Sequence, residues 1–323
     1  MGKTRKQILE WESKWSVPAG AVTFAGVGLL IASAFIIASV TGSGDAELLQ
    51  KAQEHSSDVS LSAALEAIGF VFLVAPLYFL FRAASSRTDQ MRNQLVGLVI
   101  AAPLFFAASA VLNAAATNEA ADQFTAGEAK STLTAKEAGA ECKSDLKDKG
   151  AKEFGEEHEA AGETPTEDCV TTKVSNDEAT NALSDATYHG VAVGLGLGGR
   201  LGLAVALVYS CLYGMRTGLL TRFWGSLGMA LGVAALLLLV QFTLIFFIYL
   251  GLLLIGKLPG GRPPAWAAGE AIPWPTPGQK VAAEMKPKDP DVIDVDAVEE
   301  PPEPSNGNGT SDGTGRRKRK RRG

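Results

Sequence analysis

An all-α bundle of membrane-crossing helices is the fold class this sequence predicts, and three observations carry the prediction. Apolar runs of twenty or more residues alternate with charged blocks, whereas a soluble domain scatters its apolar residues at helix or strand period. Trp11, Trp15, Trp224, Trp266 and Trp274 all lie near ends of apolar runs, where interfacial anchors gather. Charge is segregated: residues 119–185 hold 17 acidic residues against 7 lysines and no arginine, and that asymmetry speaks to topology more than to a partner.

Taken in order, residues 1–16 carry Lys3, Arg5, Lys6 and Lys14, with Ile8, Trp11 and Trp15 at i, i+3 and i+7. This pattern predicts a short amphipathic helix on the membrane surface. The apolar run 17–40 is too long for a cleavable signal peptide and reads as the first crossing. A polar loop over 41–60 contains Lys51 as its one basic residue apart from histidine. The second crossing covers 61–81, with a kink at Pro76, and Arg82, Arg87 and Arg92 fill the loop after it. The third covers 94–115, so that 17–116 holds three transmembrane helices. Residues 117–186 form an acidic loop whose Ala-, Glu- and Lys-rich part favours helix through i,i+4 pairs. That loop reads either as a solvated insertion or as a ligand- or partner-binding element. A fourth crossing covers 187–215, bounded by Arg216 and Arg222.

The positive-inside rule then puts the basic segments in the cytoplasm and the acidic loop outside. Between Arg222 and Lys257 lie 34 uncharged residues. As one helix they extend about 51 Å, against a hydrocarbon core of roughly 30 Å, and demand a tilt above about 50°. As two crossings of about 16 residues each they are short, roughly 24 Å, and no turn residue marks the middle except Gln241 and Thr243. Length leaves one crossing or two open. Lys257 and Arg262 favour two, with a tight turn near 239–241 and six helices in all, five being the alternative.

The stretches MRTGLLTRFWGSLGMALGV and FIYLGLLLIGKLPGGRPPAWAAGEAIPWP, with LYFLFRAASSR and WESKWS, resemble an uncharacterised family of bacterial multispanning membrane proteins. The resemblance covers most of the membrane part and neither the acidic loop nor the final tail. It implies two helices over the 34-residue stretch and brings no activity. In that family a proline or glycine separates the two helices, and this chain has no such breaker there. The domain 187–257 thus holds helices four to six. Residues 258–323, rich in Pro, Gly and acid, are expected to be a disordered cytoplasmic tail.

Two charges are out of place. Arg200 sits in VGLGLGGRLGLAVALV and Glu66 in SAALEAIGF, both inside apolar runs, where a charge costs roughly 2.5–3.5 kcal/mol and marks a functional site. Glu66 precedes Arg82 by 16 residues, and Arg200 precedes Arg216 by the same number, so both lie roughly 24 Å above the cytoplasmic boundary. An intramembrane Glu66–Arg200 pair is the expectation; separate snorkelling to the outer surface, about 6 Å away, is the alternative. Gly194, Gly196 and Gly199 match G-x-G-x-x-G but lack the strand and ribose-binding acid of a dinucleotide site. Gly194, Gly198 and Gly202 instead offer a four-residue spacing for close helix packing, and Gly228 and Gly232 offer a second such face. The G-S-G-D at 42–45 lacks the second intramembrane aspartate that aspartyl chemistry needs.

Cys142 and Cys169 in the outer loop predict a disulfide closing about 28 residues, worth about 3–4 kcal/mol by loop-closure entropy. His158 has only carboxylate neighbours, which disfavours zinc, and no cofactor is expected. Arg316, Arg317, Lys318, Arg319, Lys320, Arg321 and Arg322 have no interleaved aromatics. They suit anionic lipid head groups rather than sequence-specific nucleic acid.

The expected protein is thus a multi-pass protein of the plasma (inner) membrane with both termini cytoplasmic. Its first functional reading is a non-enzymatic scaffold or sensor that meets a protein partner through its outer loop and tail. The alternative is a small-solute transporter or channel with Glu66 and Arg200 lining a polar path.

Overall fold

The structure, a computed structural model, describes residues 4–154, 167–237 and 240–274, with backbone only over 145–154. Most of the region read as a tail, 275–323, lies outside the described residues, as do the basic run at 316–322 and His158. The described chain is all-α and contains no strand. Four helices are long and apolar enough to cross a membrane: α1 (Arg5–Ile37), α3 (Ser56–Ser85), α4 (Val96–Thr125) and α7 (His189–Arg216). Only between 22% and 44% of each apolar stretch is buried inside the protein. The helices run unbroken through Pro18, Pro76 and Pro103.

Successive long helices are antiparallel, and small residues set their spacing. On α7, a Cβ at Gly202 would lie 2.8 Å from the Cβ of Ala102 on α4, and one at Gly199 3.0 Å from Phe106. On α1, Gly26 faces Phe72 and Gly69 of α3 in the same way. Lipid supplies no hydrophobic drive between helices, so this close van der Waals approach is what holds the bundle together.

The amphipathic segment at the N-terminus is not a separate surface helix. Thr4 and Gln7 form a capping box that starts α1, and the helix continues without interruption to Ile37. Of the stripe predicted to touch lipid, Ile8 is buried and Trp11 stacks on Phe79 with ring centroids 4.8 Å apart, while Trp15 stays exposed.

The 34-residue uncharged stretch is broken into α8 (Arg222–Leu236) and α9 (Thr243–Ile255), joined through Leu237 and a 3-10 turn at Val240–Phe242. Leu238 and Leu239, the latter the first residue of the expected turn, lie outside the described residues. Trp224 stacks on Tyr249 at 3.9 Å and Gly228 meets Phe246, so α8 and α9 form an antiparallel hairpin. With 15 and 13 residues they are about 22 Å and 20 Å long, each below the core thickness. Gly20 meets Ile255 and Phe24 meets Gly251, which sets α9 against α1. In that register α9 begins about one turn below the end of α1 at Ile37.

The two polar loops are largely helical. Residues 41–60 form α2 (Asp45–Glu54) and the first turn of α3. The acidic block holds the last turns of α4, then α5 (Ala135–Phe154) and α6 (Glu167–Asp185). Ala114, Ala116, Ala120 and Ala121 of α4 pack with Leu49 and Ala52 of α2 and Ala179 and Ala182 of α6. These helices form a cap on the end of the bundle opposite the arginine-rich loops.

The basic end is closed by residues assigned above to the tail. After Gly256, which ends α9 at φ +82°, the chain folds under the bundle and forms the short helix α10 (Pro264–Ala268). Trp266 Nε1 donates to the Leu219 carbonyl at 2.9 Å, Trp274 Nε1 to Leu220 at 2.8 Å, and Ile272 N to Thr217 at 3.1 Å. The packed part of the chain therefore extends to residue 274, because the two indoles satisfy carbonyls left open between α7 and α8.

Candidate functional site

Irregular backbone at membrane depth survives only where it is buried in protein or lines a cavity. The tip of the α8–α9 hairpin lines one. Val240 and Gln241 form one wall of a chamber of about 460 Å³ that lies between α1, α3, α4 and α7 and reaches Leu48 of the cap. Glu66 of α3 and Arg200 of α7 both line it, with Ser109 and Asn113 of α4. A second cavity of about 500 Å³ lies between α1 and the hairpin tip and shares Glu66, Phe70 and Gln241 with the first.

The two charges arrive there for separate local reasons. α3 and α7 both pack antiparallel to α4, so they run in the same direction and place Glu66 and Arg200 in the same half of the bundle. Gly196 and Gly199 thin α7 on the side toward Ser109 and Phe106, while Ser109 donates to the Ala192 carbonyl at 2.8 Å. Glu66 and Arg200 line one chamber without forming an ion pair, and Arg200 Nε is buried with no hydrogen-bond partner. The expected pair is thus a shared lining. Two opposite charges held apart in one chamber can each receive the complementary charge of a ligand.

The other predicted residues separate. Gly202 sits in the α4 contact and Gly198 borders Phe105, but Gly194 has nothing within 4 Å of its Cβ position. The packing face is Gly196, Gly199 and Gly202, at three-residue spacing. Gly228 and Gly232 pack closely against Cys211 and Leu207 of α7. Cys142 and Cys169 are bonded, S–S 2.02 Å, and staple α5 to α6 in the cap.

The elements of the cap are joined to one another by polar contacts. Asn176 of α6 accepts from the Ala46 backbone N–H of α2 at 3.0 Å, and Glu119 of α4 accepts from Thr187 N and Oγ1. Asp177 caps the 131–134 turn by accepting from Ser131, Thr132 and Leu133. The Ser131 hydroxyl, and then these backbone donors, hold its carboxyl below the usual range. Lys51 and Ser43 bring the Glu47 carboxyl down to about 2.

A second charged cluster, at the basic end, was not legible in the sequence. Arg87 and Glu12 form an ion pair whose side chains are 0% and 6% exposed. Arg87 also donates to the carbonyls of Ala83 at 2.9 Å and Ala265 at 3.1 Å. Its guanidinium and that of Arg262 each lie 5.8 Å from the Trp266 ring centre. Arg262 donates to the Leu253 and Leu254 carbonyls at the end of α9. Apart from Arg87 Nε, which is buried without a hydrogen-bond partner, this cluster is met by its own partners and ties α1, α3, α9 and α10 together, a structural task.

The chain matches no protein-family model, no curated protein and no solved structure.

Proposed function

We propose that this protein is a non-enzymatic carrier of the plasma membrane that binds a charged molecule in the Glu66–Arg200 chamber. The membrane part has six helices: four crossings, and the α8–α9 hairpin, which enters and leaves through the basic side. The basic side is cytoplasmic, in keeping with the positive-inside rule, and the disulfide-bearing cap faces an oxidising exterior. The observation that carries the reading is that an arginine and a glutamate from two parallel-running helices line one chamber at the tip of a broken hairpin. Discontinuous helices at membrane depth with convergent polar groups are how carriers build ligand sites.

The test is reactivity at the tip. Gln241→Cys in reconstituted protein should react with a charged, membrane-impermeant thiol reagent added on the cap side, and Glu66→Gln or Arg200→Gln should change that rate by about tenfold or more, one charge-to-neutral change in a low-dielectric site being worth at least 1.4 kcal/mol. A thiol as inert as one on the lipid-facing side of α7 overturns the reading.

One observation favours a sensor instead. Leu48 lines the chamber while its helix, α2, is held by Asn176 of the cap. Occupancy is therefore in contact with the outer surface. Solute uptake into proteoliposomes separates the two: a carrier moves its ligand, and a sensor only binds it.

A further inference from the structure

The chamber has a neighbour of different character. The second cavity shares Ile37, Glu66, Phe70, Val240 and Gln241 with it, so these side chains form a wall common to both. Beyond that wall the second cavity is apolar, lined by Ile31, Ala34 and Phe35 of α1 and Leu244 of α9. Phe35 is 77% exposed and Ile31 41%, and beside the tip Leu237 and Phe242 are 70% and 52% exposed. On membrane-crossing helices such side chains face hydrocarbon, so this bay opens sideways into the bilayer.

Depth fixes which part of the bilayer. Glu66 lies 16 residues from Arg82, roughly 24 Å above the basic boundary, which leaves about 6 Å to the cap-side edge of the roughly 30 Å core. That is the level at which the chains of the cap-side leaflet join their head groups. A lipid there reaches both cavities without moving vertically: its chain enters the bay while its head turns inward past Glu66.

Charge then selects the head. Arg200 presents a planar guanidinium, whose fork matches the oxygens of a phosphodiester. Glu66 accepts hydrogen bonds, which an ammonium supplies three at a time. An anionic head group would satisfy Arg200 and leave Glu66 facing a like charge; a cationic one would do the reverse. Only a zwitterion matches both, and an unmatched charge in this environment is costly.

We propose that the chamber and bay together bind a zwitterionic phospholipid bearing a primary ammonium, of the phosphatidylethanolamine type, drawn from the cap-side leaflet, with phosphate on Arg200, ammonium on Glu66 and one acyl chain in the bay. This rests on the carrier reading and names its ligand class.

The full chain is reconstituted in phosphatidylcholine vesicles containing a small share of phosphatidylethanolamine with a diazirine in its acyl chain, irradiated, and the labelled peptides are identified by mass spectrometry. Label should be enriched at least fivefold on the bay residues 31–38 and 244 over the exposed residues 197 and 201 of α7, which line neither cavity. The matching phosphatidylglycerol probe should show no enrichment. Arg200→Gln should abolish the enrichment. Ala34→Trp, on an exposed helix face with both charges intact, should abolish it by filling the bay. Equal labelling of bay and α7, equal enrichment with phosphatidylglycerol, or enrichment that survives either substitution overturns the proposal. If Gln241→Cys is reactive but the bay is unlabelled, the lipid assignment fails and the chamber stands; an inert thiol sinks both.

Discussion

Glu12 shows how far a residue's surroundings can lie from its sequence neighbourhood. In WESKWS it stands four residues after Ile8, on the same face of the helix as Trp11 and Trp15, and there it is 4% exposed and paired with Arg87. The groups that bury it come from 75 and more residues away, and no local pattern reports them. Removing one member of a buried pair strands the other, so Glu12→Gln should lower unfolding stability in micelles by about 3–5 kcal/mol. Glu12→Gln combined with Arg87→Met should recover most of that loss, and a double mutant no better than the single would contradict it. The glycines were half legible. Spacing showed that α7 packs closely but not which side, since spacings of three and four both mark a helix stripe. Gly202→Val forces its side chain into Ala102 and should cost about 1–3 kcal/mol, while Gly194→Val should stay within about 0.5 kcal/mol in the same denaturation assay.

At the scale of elements, the four long apolar helices were readable from length and hydropathy because lipid imposes both. The break after Leu236 was readable only by length. No proline or glycine ends α8. The helix in the acidic block was readable from its Ala, Glu and Lys content and is α5, but the packing of the cap was not, because its apolar content is mostly alanine, which packs well yet hardly registers in a hydropathy average. Its polar joints make a pH prediction. Glu47 is depressed from 4.5 to about 2 and Asp177 from 3.8, so their contribution is present above the ordinary values and is lost as pH falls through the lowered ones. Amide exchange at 43–54 and 131–137, corrected for intrinsic rate, should therefore quicken between pH 4.5 and 2, while the crossing helices keep their protection. Uniform change across both regions would count against these joints.

For the whole molecule, the arginine-rich loops, the start of α1 and the 258–274 segment occupy one end, with Arg5 paired to Glu270, and the cap occupies the other. Charge alone favoured two helices over the 34-residue stretch and left one long helix as the alternative. The same-side placement of the described ends needed the structure, since only there does Trp266 reach Leu219. If the basic end is cytoplasmic, Glu128→Cys should be labelled by an impermeant thiol reagent on intact spheroplasts and Thr88→Cys only after permeabilisation. The opposite result would invert the molecule in the membrane.

The strap beneath the bundle also imposes an order on biogenesis. Arg87 waits for the Ala265 carbonyl, and the open carbonyls of Leu219 and Leu220 wait for Trp266 and Trp274. Helices delivered early by the ribosome thus stay unsealed at their inner rim until nearly the last described residue has been translated. Assembly closes from its far end of synthesis backward, and a nascent chain halted near residue 260 should remain open to proteolysis there.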